Sequence, residues 1–269
     1  MTQTSAPKGA ALFFDIDGTL LPDCTDDCPA GLPETLQAAC DRGHHLFINT
    51  GRTICSIAPS AMALPMDGYL CGCGSRIIFH NEVLFYSALS PELSAFLVKM
   101  ARQCHMDMIL EGTRDMYFPK ETSRFPQVES LRKTAHDMGL AIKVSQDDPV
   151  IDADKFVVFV DEKSDKDVFF DAIANDISII DRGNQMYECI QKPYTKATAI
   201  DYVRRSLGLT LDDIYVFGDS TNDLSMFVYA KHTVAMGEHS PALDPETEFV
   251  TKKLEDGGIR HALEHYHLI

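Results

Sequence analysis

A chain of 269 residues, 45% hydrophobic and 24% charged, can bury a substantial core in one large or two smaller domains, and its composition excludes extended disorder. Its 24 basic and 40 acidic side chains leave a formal charge of −16, which repels nucleic acid and anionic lipid, and no basic cluster overrides that field. An anionic substrate must then be attracted locally, and a bound divalent cation is the direct means.

Met1 to Lys8 is short and polar and lacks the apolar core of a signal peptide. No stretch approaches the ~20 apolar residues of a membrane span, and the 8 cysteines lack framework spacing. These features lead us to expect a soluble cytoplasmic protein with reduced thiols. The first element is Ala10-Ala-Leu-Phe-Phe14, a continuous apolar run that stops at Asp15, as a strand buried on both faces does. After a polar loop, a helix opens with Pro33 in its first turn and closes at Gly43. His45 to Asn49 reads as a second strand, Thr50-Gly51-Arg52 as a turn, and a helical segment is expected from Thr53. Tyr69-Leu70-Cys71 is a third strand, so the order β-α-β-α-β calls for a parallel sheet with helical crossovers.

From Ile77 the rhythm changes. Ile77 to His80 and Val83 to Tyr86 flank Asn81-Glu82 as a hairpin, and Ser90-Pro91 starts a helix with an apolar stripe from Leu93 to Cys104. Strands follow at Met106 to Leu110 and Met116 to Phe118, then a helix over Pro126 to Met138 and a strand over Lys155 to Val160. A helix from Asp165 to Ala174 and strands at Ile177 to Ile180 and Met186 to Ile190 repeat the helix-strand-strand pattern, an approximate internal duplication. Beyond Lys192 come a helix over Lys196 to Leu207 and a buried strand, Ile214 to Phe217, ending at Gly218-Asp219. A helix near Asn222, a strand over Thr233 to Met236 and a helix from Gly258 to Tyr266 complete the chain. The fold class is therefore α/β, a parallel-sheet, Rossmann-like core (1–82 and 189–269) split by an inserted α+β domain (83–188).

Two apolar strands end in acidic clusters, Asp15-Ile-Asp17 and Asp219-Ser-Thr-Asn-Asp223. Ligands of open α/β sheets bind outside the carboxyl ends of the strands, so both clusters should face one crevice. Gathering Asp15, Asp17, Asp219 and Asp223 uncompensated would cost several kcal/mol of repulsion. A hard cation removes that cost, and Mg2+ suits a site of few carboxylates with open water positions.

Asp15-Ile-Asp-Gly-Thr-Leu20, Thr50 after Phe47-Ile-Asn49, Lys196, and Gly218-Asp-Ser-Thr-Asn-Asp223 with Met226 resemble, in order, the four motifs of the haloacid dehalogenase-like hydrolase superfamily. The long insertion and Val234-Ala-Met-Gly237 resemble its Cof-type branch, which carries a large α/β cap. One departure is Cys73-Gly74-Ser75, where that branch often has Asn-Gly-Ala. The resemblance implies a phosphatase acting on a small phosphorylated metabolite through a phosphorylated aspartate. Asp15 would be the nucleophile and Asp17 the acid and base; Asp15, Asp219 and the backbone carbonyl of Asp17 would hold Mg2+. Thr50, with backbone N–H groups beside it such as that of Gly51, would hold the phosphoryl oxygens, and Lys196 would place its charge on the transferred group. Asn222 and Asp223 would orient Lys196, bound water or phosphate.

Two other readings stay open: a phosphomutase that returns the phosphoryl group to substrate, and a non-catalytic module that senses a phosphometabolite. Intact Asp15 and Asp17 speak against the second. Arg114, Tyr117, Lys120 and Arg124 are the inserted residues able to touch a leaving group, and Arg52 either neutralises phosphate or braces its loop. Cys24, Cys28, Cys71 and Cys73 could approach one another in a zinc or redox site, although ordinary thiols are the simpler reading. His261 and His265 share metal-ligand spacing on a helix, but a solvated helical face is by far the simpler reading.

Overall fold

The computed structural model describes residues 9–23 and 25–269. In chain order its elements begin with strand β1 (Ala11–Phe14), helix α1 (Leu32–Asp41), β2 (His45–Asn49), the one-turn helix α2 (Pro59–Met62), β3 (Gly68–Cys71), β4 (Arg76–Phe79) and β5 (Glu82–Tyr86). Then come α3 (Pro91–Gln103), β6 (Asp107–Glu111), β7 (Asp115–Phe118), α4 (Pro126–Asp137), β8 (Ala141–Val144), β9 (Lys155–Phe159), α5 (Lys166–Ile173), β10 (Ile177–Asp181) and β11 (Met186–Gln191). The last stretch holds α6 (Lys196–Leu207), β12 (Ile214–Gly218), α7 (Leu224–Tyr229), β13 (His232–Ala235), β14 (Phe249–Val250) and α8 (Gly258–His265).

The chain divides into two compact units. The first comprises Met1–Gly51, Ala58–Leu84 and Thr195–Ile269, and the second Arg52–Ile57 with Phe85–Tyr194. These limits differ from 83 and 188: a break at 188 would fall inside β11, whose ladder with β9 keeps the whole strand in the second unit. An eight-stranded sheet, ordered β14-β13-β12-β1-β2-β3-β4-β5, forms the first unit, and a six-stranded sheet, ordered β10-β11-β9-β6-β7-β8, forms the second.

Strand β1 lies between β12 and β2, parallel to both, and all four of its residues have no exposed surface. That explains why it reads as unbroken apolar sequence rather than as an alternation. Helix α1 has Pro33 in its first turn as expected, and α6 begins at Lys196 with a capping box between Thr195 and Thr198.

Three local expectations are corrected. The hairpin turns on His80-Asn81, both at positive φ (48° and 66°), so β5 starts at Glu82. A two-residue turn of that hand needs left-handed backbone at both central positions, which Asn tolerates and which shifts the turn by one residue. The helix expected from Thr53 breaks into a 3-10 turn, Ile54–Ser56, and α2, because Pro59 drives Ala58 into extended backbone (ψ 141°). Near Asn222 the chain makes a 3-10 turn over Thr221–Asp223, and α7 starts only at Leu224. Strands β8 and β14 carried no expectation; four and two residues long, they are too short to show a period.

In the second unit, α3 and α5 cover one sheet face with Leu97, Ala101, Phe169 and Ile173, while α4 packs Val128 and Ala135 against the other. The latter face also carries a buried charge network. The Lys155 ammonium sits 2.5 Å from Glu188 Oε1 and 3.7 Å from Glu111 Oε1, all three side chains being buried. Burial raises the Glu111 pKa against the pull of Lys155. Substituting Lys155→Met removes the nearest cation from two buried carboxylates and leaves Glu188 with Arg182 at 4.0 Å, and we expect a loss of about 3–5 kcal/mol, read from urea denaturation midpoints. A change below ~1 kcal/mol would show that water reaches the network. Among the described residues, no helix is long and apolar enough to cross a membrane.

Candidate active site

The sheet of the first unit runs outward from β1 in two directions, to β2 and β3 on one side and to β12 and β13 on the other. Such a switch point opens a crevice at the carboxyl ends of the strands. Register carries Asp15 there: Phe14 pairs with Phe217, and the Asp15 amide donates to the Phe217 carbonyl at 3.0 Å. Asp219 follows β12 immediately, so two residues about 200 apart in sequence become neighbours.

Carboxylate oxygens of Asp15, Asp219 and Asp223 all lie within 4.8 Å of one another. Between two of them stands Lys196, with no exposed side-chain surface and its Nζ 2.8 Å from Asp15 Oδ1 and 2.6 Å from Asp223 Oδ1. The other Asp223 oxygen accepts from the backbone amides of Asp219 and Ser220, both at 3.0 Å. Both Asp223 oxygens are thereby engaged, and the residue fixes Lys196 to the loop after β12.

Two glycines make the approach possible. Gly18 has φ +75°, and a Cβ there would stand 2.5 Å from Asp219 Oδ2; a Cβ on Gly218 would stand 2.6 Å from the Asp223 carboxylate carbon. Any larger residue would push the acidic side chains apart.

Asp17 is half-buried beside Asp15, and its charge helps raise the Asp15 pKa, but its carboxylate is not one of the three clustered groups. Thr50 is buried; its amide donates to the Leu70 carbonyl (2.9 Å) and its carbonyl accepts from the Cys73 amide (3.0 Å), locking the turn at Gly51 to the end of β3. The Asn222 side-chain oxygen accepts from the Ser220 hydroxyl at 2.7 Å, within its own loop.

The electrostatics follow from this crowding. Burial, chiefly, pushes the Asp15 carboxyl up to about 7, with Lys196 opposing and Asp223 and Asp17 adding to the rise. Burial followed by Asp223 and Asp15 pushes Asp219 up to about 8, while a bond from the Thr19 hydroxyl (3.1 Å) pulls the other way. For Lys196, burial works against the charge, but Asp15 and Asp223 more than offset it and hold the pKa above the usual lysine value. The site is thus short of positive charge. With both Asp223 oxygens engaged, the Asp15 and Asp219 carboxylates, adjacent and each disfavoured as an anion, are the hard oxygen donors that fit a small divalent cation such as Mg2+.

Thr19, Asn49 and Ser220 take part although sequence gave them no role. Thr19 bonds Asp219, Ser220 ties Asn222, and Asn49 donates to the Lys196 carbonyl at 3.2 Å. The available signal for Asn49 was a polar residue closing an apolar strand.

A family model described as haloacid dehalogenase-like hydrolase matches residues 12–263. The chain belongs to that family. YkrA of Bacillus subtilis (strain 168), whose name marks it as a candidate phosphatase, is 26% identical to this hydrolase over 263 residues, 96% of this chain and 98% of YkrA. Pyridoxal phosphate phosphatase YbhA of Escherichia coli (strain K12) is 23% identical over 261 residues, 89% of this chain and 92% of YbhA. The solved structure of BT4131, a sugar phosphatase of subclass IIB in the same superfamily, superposes with a TM-score of 0.81 at 26% identity, covering 97% of this chain and 100% of its own. This hydrolase therefore has the α/β core and inserted cap of the family, and phosphatase is its enzyme class.

Of the inserted residues named for leaving-group contact, Tyr117 packs in the core under α3 and α5, where its hydroxyl accepts from the Asp152 amide at 3.1 Å. Arg124 is tied to Asp161 at 2.7 Å, and Lys120 pairs with Asp147 at 3.4 Å. Cys24 lies outside the described residues. Cys28, Cys71 and Cys73 form no disulfide among the described residues, and the three carboxylates form the one candidate metal group among those residues. His261 bonds Thr251 at 3.0 Å and His265 stacks on Phe249 at 3.9 Å, so both serve packing.

Proposed function

We propose that this hydrolase cleaves a small phosphate monoester, a sugar phosphate or similar metabolite, through a phosphorylated Asp15 with Mg2+ as cofactor. The observation that carries the reading is Lys196, a wholly buried ammonium within 2.8 Å of Asp15 and 2.6 Å of Asp223. A fixed cation beside a carboxylate at a strand end is what a nucleophile needs to remain reactive next to a phosphate dianion.

In the first step an Asp15 oxygen attacks phosphorus, the ester P–O bond breaks, and Asp17 gives its proton to the departing alkoxide. In the second, Asp17 takes a proton from water as that water attacks the aspartyl-phosphate, releasing inorganic phosphate and restoring Asp15. Thr50, the amide of Gly51 and Lys196 hold the phosphoryl oxygens, with Asn222 beside them and Asp223 keeping Lys196 in place. Asp15, Asp219 and the Asp17 carbonyl would hold Mg2+, which supplies the positive charge that lets anionic nucleophile and anionic substrate coexist. The cap is assigned the choice of leaving group.

A phosphate-release screen over sugar phosphates, pyridoxal phosphate and other small esters with Mg2+ tests the reading. We expect turnover of at least one member. Phosphate appearing on a second substrate hydroxyl instead of in solution identifies a phosphomutase, and silence across the panel favours a binding module.

A further inference from the structure

We infer that Asn49 is a positioning residue that sets Lys196 in the active site; the inference rests on the role proposed above for Lys196. Asn49 closes β2 with no exposed surface and directly precedes Thr50. Its Nδ2 donates to the carbonyl of Lys196, the first residue of α6, at 3.2 Å, and to the Met226 sulfur at 3.6 Å. Met226 stands three residues beyond Asp223. One carboxamide therefore joins the neighbourhoods of Thr50, Lys196 and Asp223, three residues that arise from three separate elements.

The reason to assign it a role beyond packing is its other end. Asn49 Oδ1 is buried and has no hydrogen-bond partner among the described residues. A buried acceptor left unmade destabilises the fold, and apolar residues fill the rest of β2 from Leu46 to Ile48. Leucine has the same heavy-atom skeleton, branched at Cγ, and would not carry that penalty. What only the amide supplies is its pair of bonds, of which the one to Lys196 is the shorter. The capping box at Thr195 and Thr198 fixes the first turn of α6 internally, but it does not tie that turn to the end of β2. Asn49 does, and a shift of the helix start moves the ammonium relative to both carboxylates.

The test is Asn49→Leu, alone and combined with Lys196→Ala, with Asn49→Ala as a smaller substitution if leucine does not fold. Acting through Lys196, Asn49→Leu lowers kcat about 10-fold with KM changed less than ~3-fold, and the melting temperature is kept or raised. With Lys196→Ala present, the same substitution changes kcat less than ~2-fold, because the group it positions is gone. An equal loss in both backgrounds, or an unchanged kcat, overturns the inference. A second readout needs no turnover: amine acylation followed by mass spectrometry should find Lys196 protected in the unsubstituted protein and modified at least ~5-fold faster in Asn49→Leu. Unchanged protection overturns the inference even if kcat falls. Absence of turnover by the unsubstituted protein would instead overturn the phosphatase reading, leaving the acylation result to decide on Asn49.

Discussion

Asp15→Asn should lower phosphate release by at least ~10³-fold while leaving the fold intact. The substitution is nearly isosteric, and Lys196 keeps its bond to Asp223 at 2.6 Å, so the buried ammonium does not lose its only partner. What disappears is the oxygen nucleophile. The carboxamide nitrogen has no available lone pair, and its oxygen carries too little charge to attack phosphorus. The variant should also fail to form the acid-stable, hydroxylamine-labile phosphate adduct that brief incubation and quenching would trap on the unsubstituted enzyme. A variant turning over within ~10-fold of the unsubstituted protein would remove Asp15 from the reaction.

The second large effect concerns Mg2+. Chelation should abolish turnover, and Mg2+ should restore it. Stability gives an independent measure with a definite sign. Asp15 and Asp219 are raised to about 7 and about 8 in the folded chain, against ~3.9 for an unfolded aspartate. Between those limits the folded state holds more protons than the unfolded one, so the metal-free protein should lose stability as pH climbs from ~4 through ~8. Mg2+ competes with those protons, so its stabilisation should be greater at pH 8 than at pH 6. Melting temperatures with and without chelator across this range test both statements. If Mg2+ moves neither the melting temperature nor turnover at any pH, the cation assignment fails.

Much of this architecture was legible in the residues. The run Ala11 to Phe14 ending at Asp15, and Ile214 to Phe217 ending at Gly218-Asp219, announce buried parallel strands because both faces are covered and no alternation survives. The helix read from about Lys196 starts at that residue, behind a cap at Thr195 that the structure supplies. The short pieces could not be read in this way. β14, two residues long, exists only because β13 offers it an edge, and nothing in Phe249-Val250 encodes that neighbour. Within the site, residue type and strand-end position pointed to Asp15 and Asp219, whereas Lys196, at a helix start, came only through the resemblance to the family's third motif. Thr19 and Asn49 act through bonds to residues 200 and 147 positions away, and such partners become apparent only once the sheet order is known.

The central place of β1 has a consequence for how the molecule is made. Its partner on one side, β2, emerges from the ribosome soon after it, but its partner on the other, Ile214 to Phe217, comes about 200 residues later. Throughout that interval the nascent chain presents one flank of its most apolar strand with no backbone mate, an open template for mispairing. The cap, nearly contiguous from Phe85 to Tyr194, is free to fold while the older half waits. Completion of the nucleophile's surroundings is therefore a late event in synthesis, and a stalled or shortened translation product would be prone to aggregate before it could act as an enzyme.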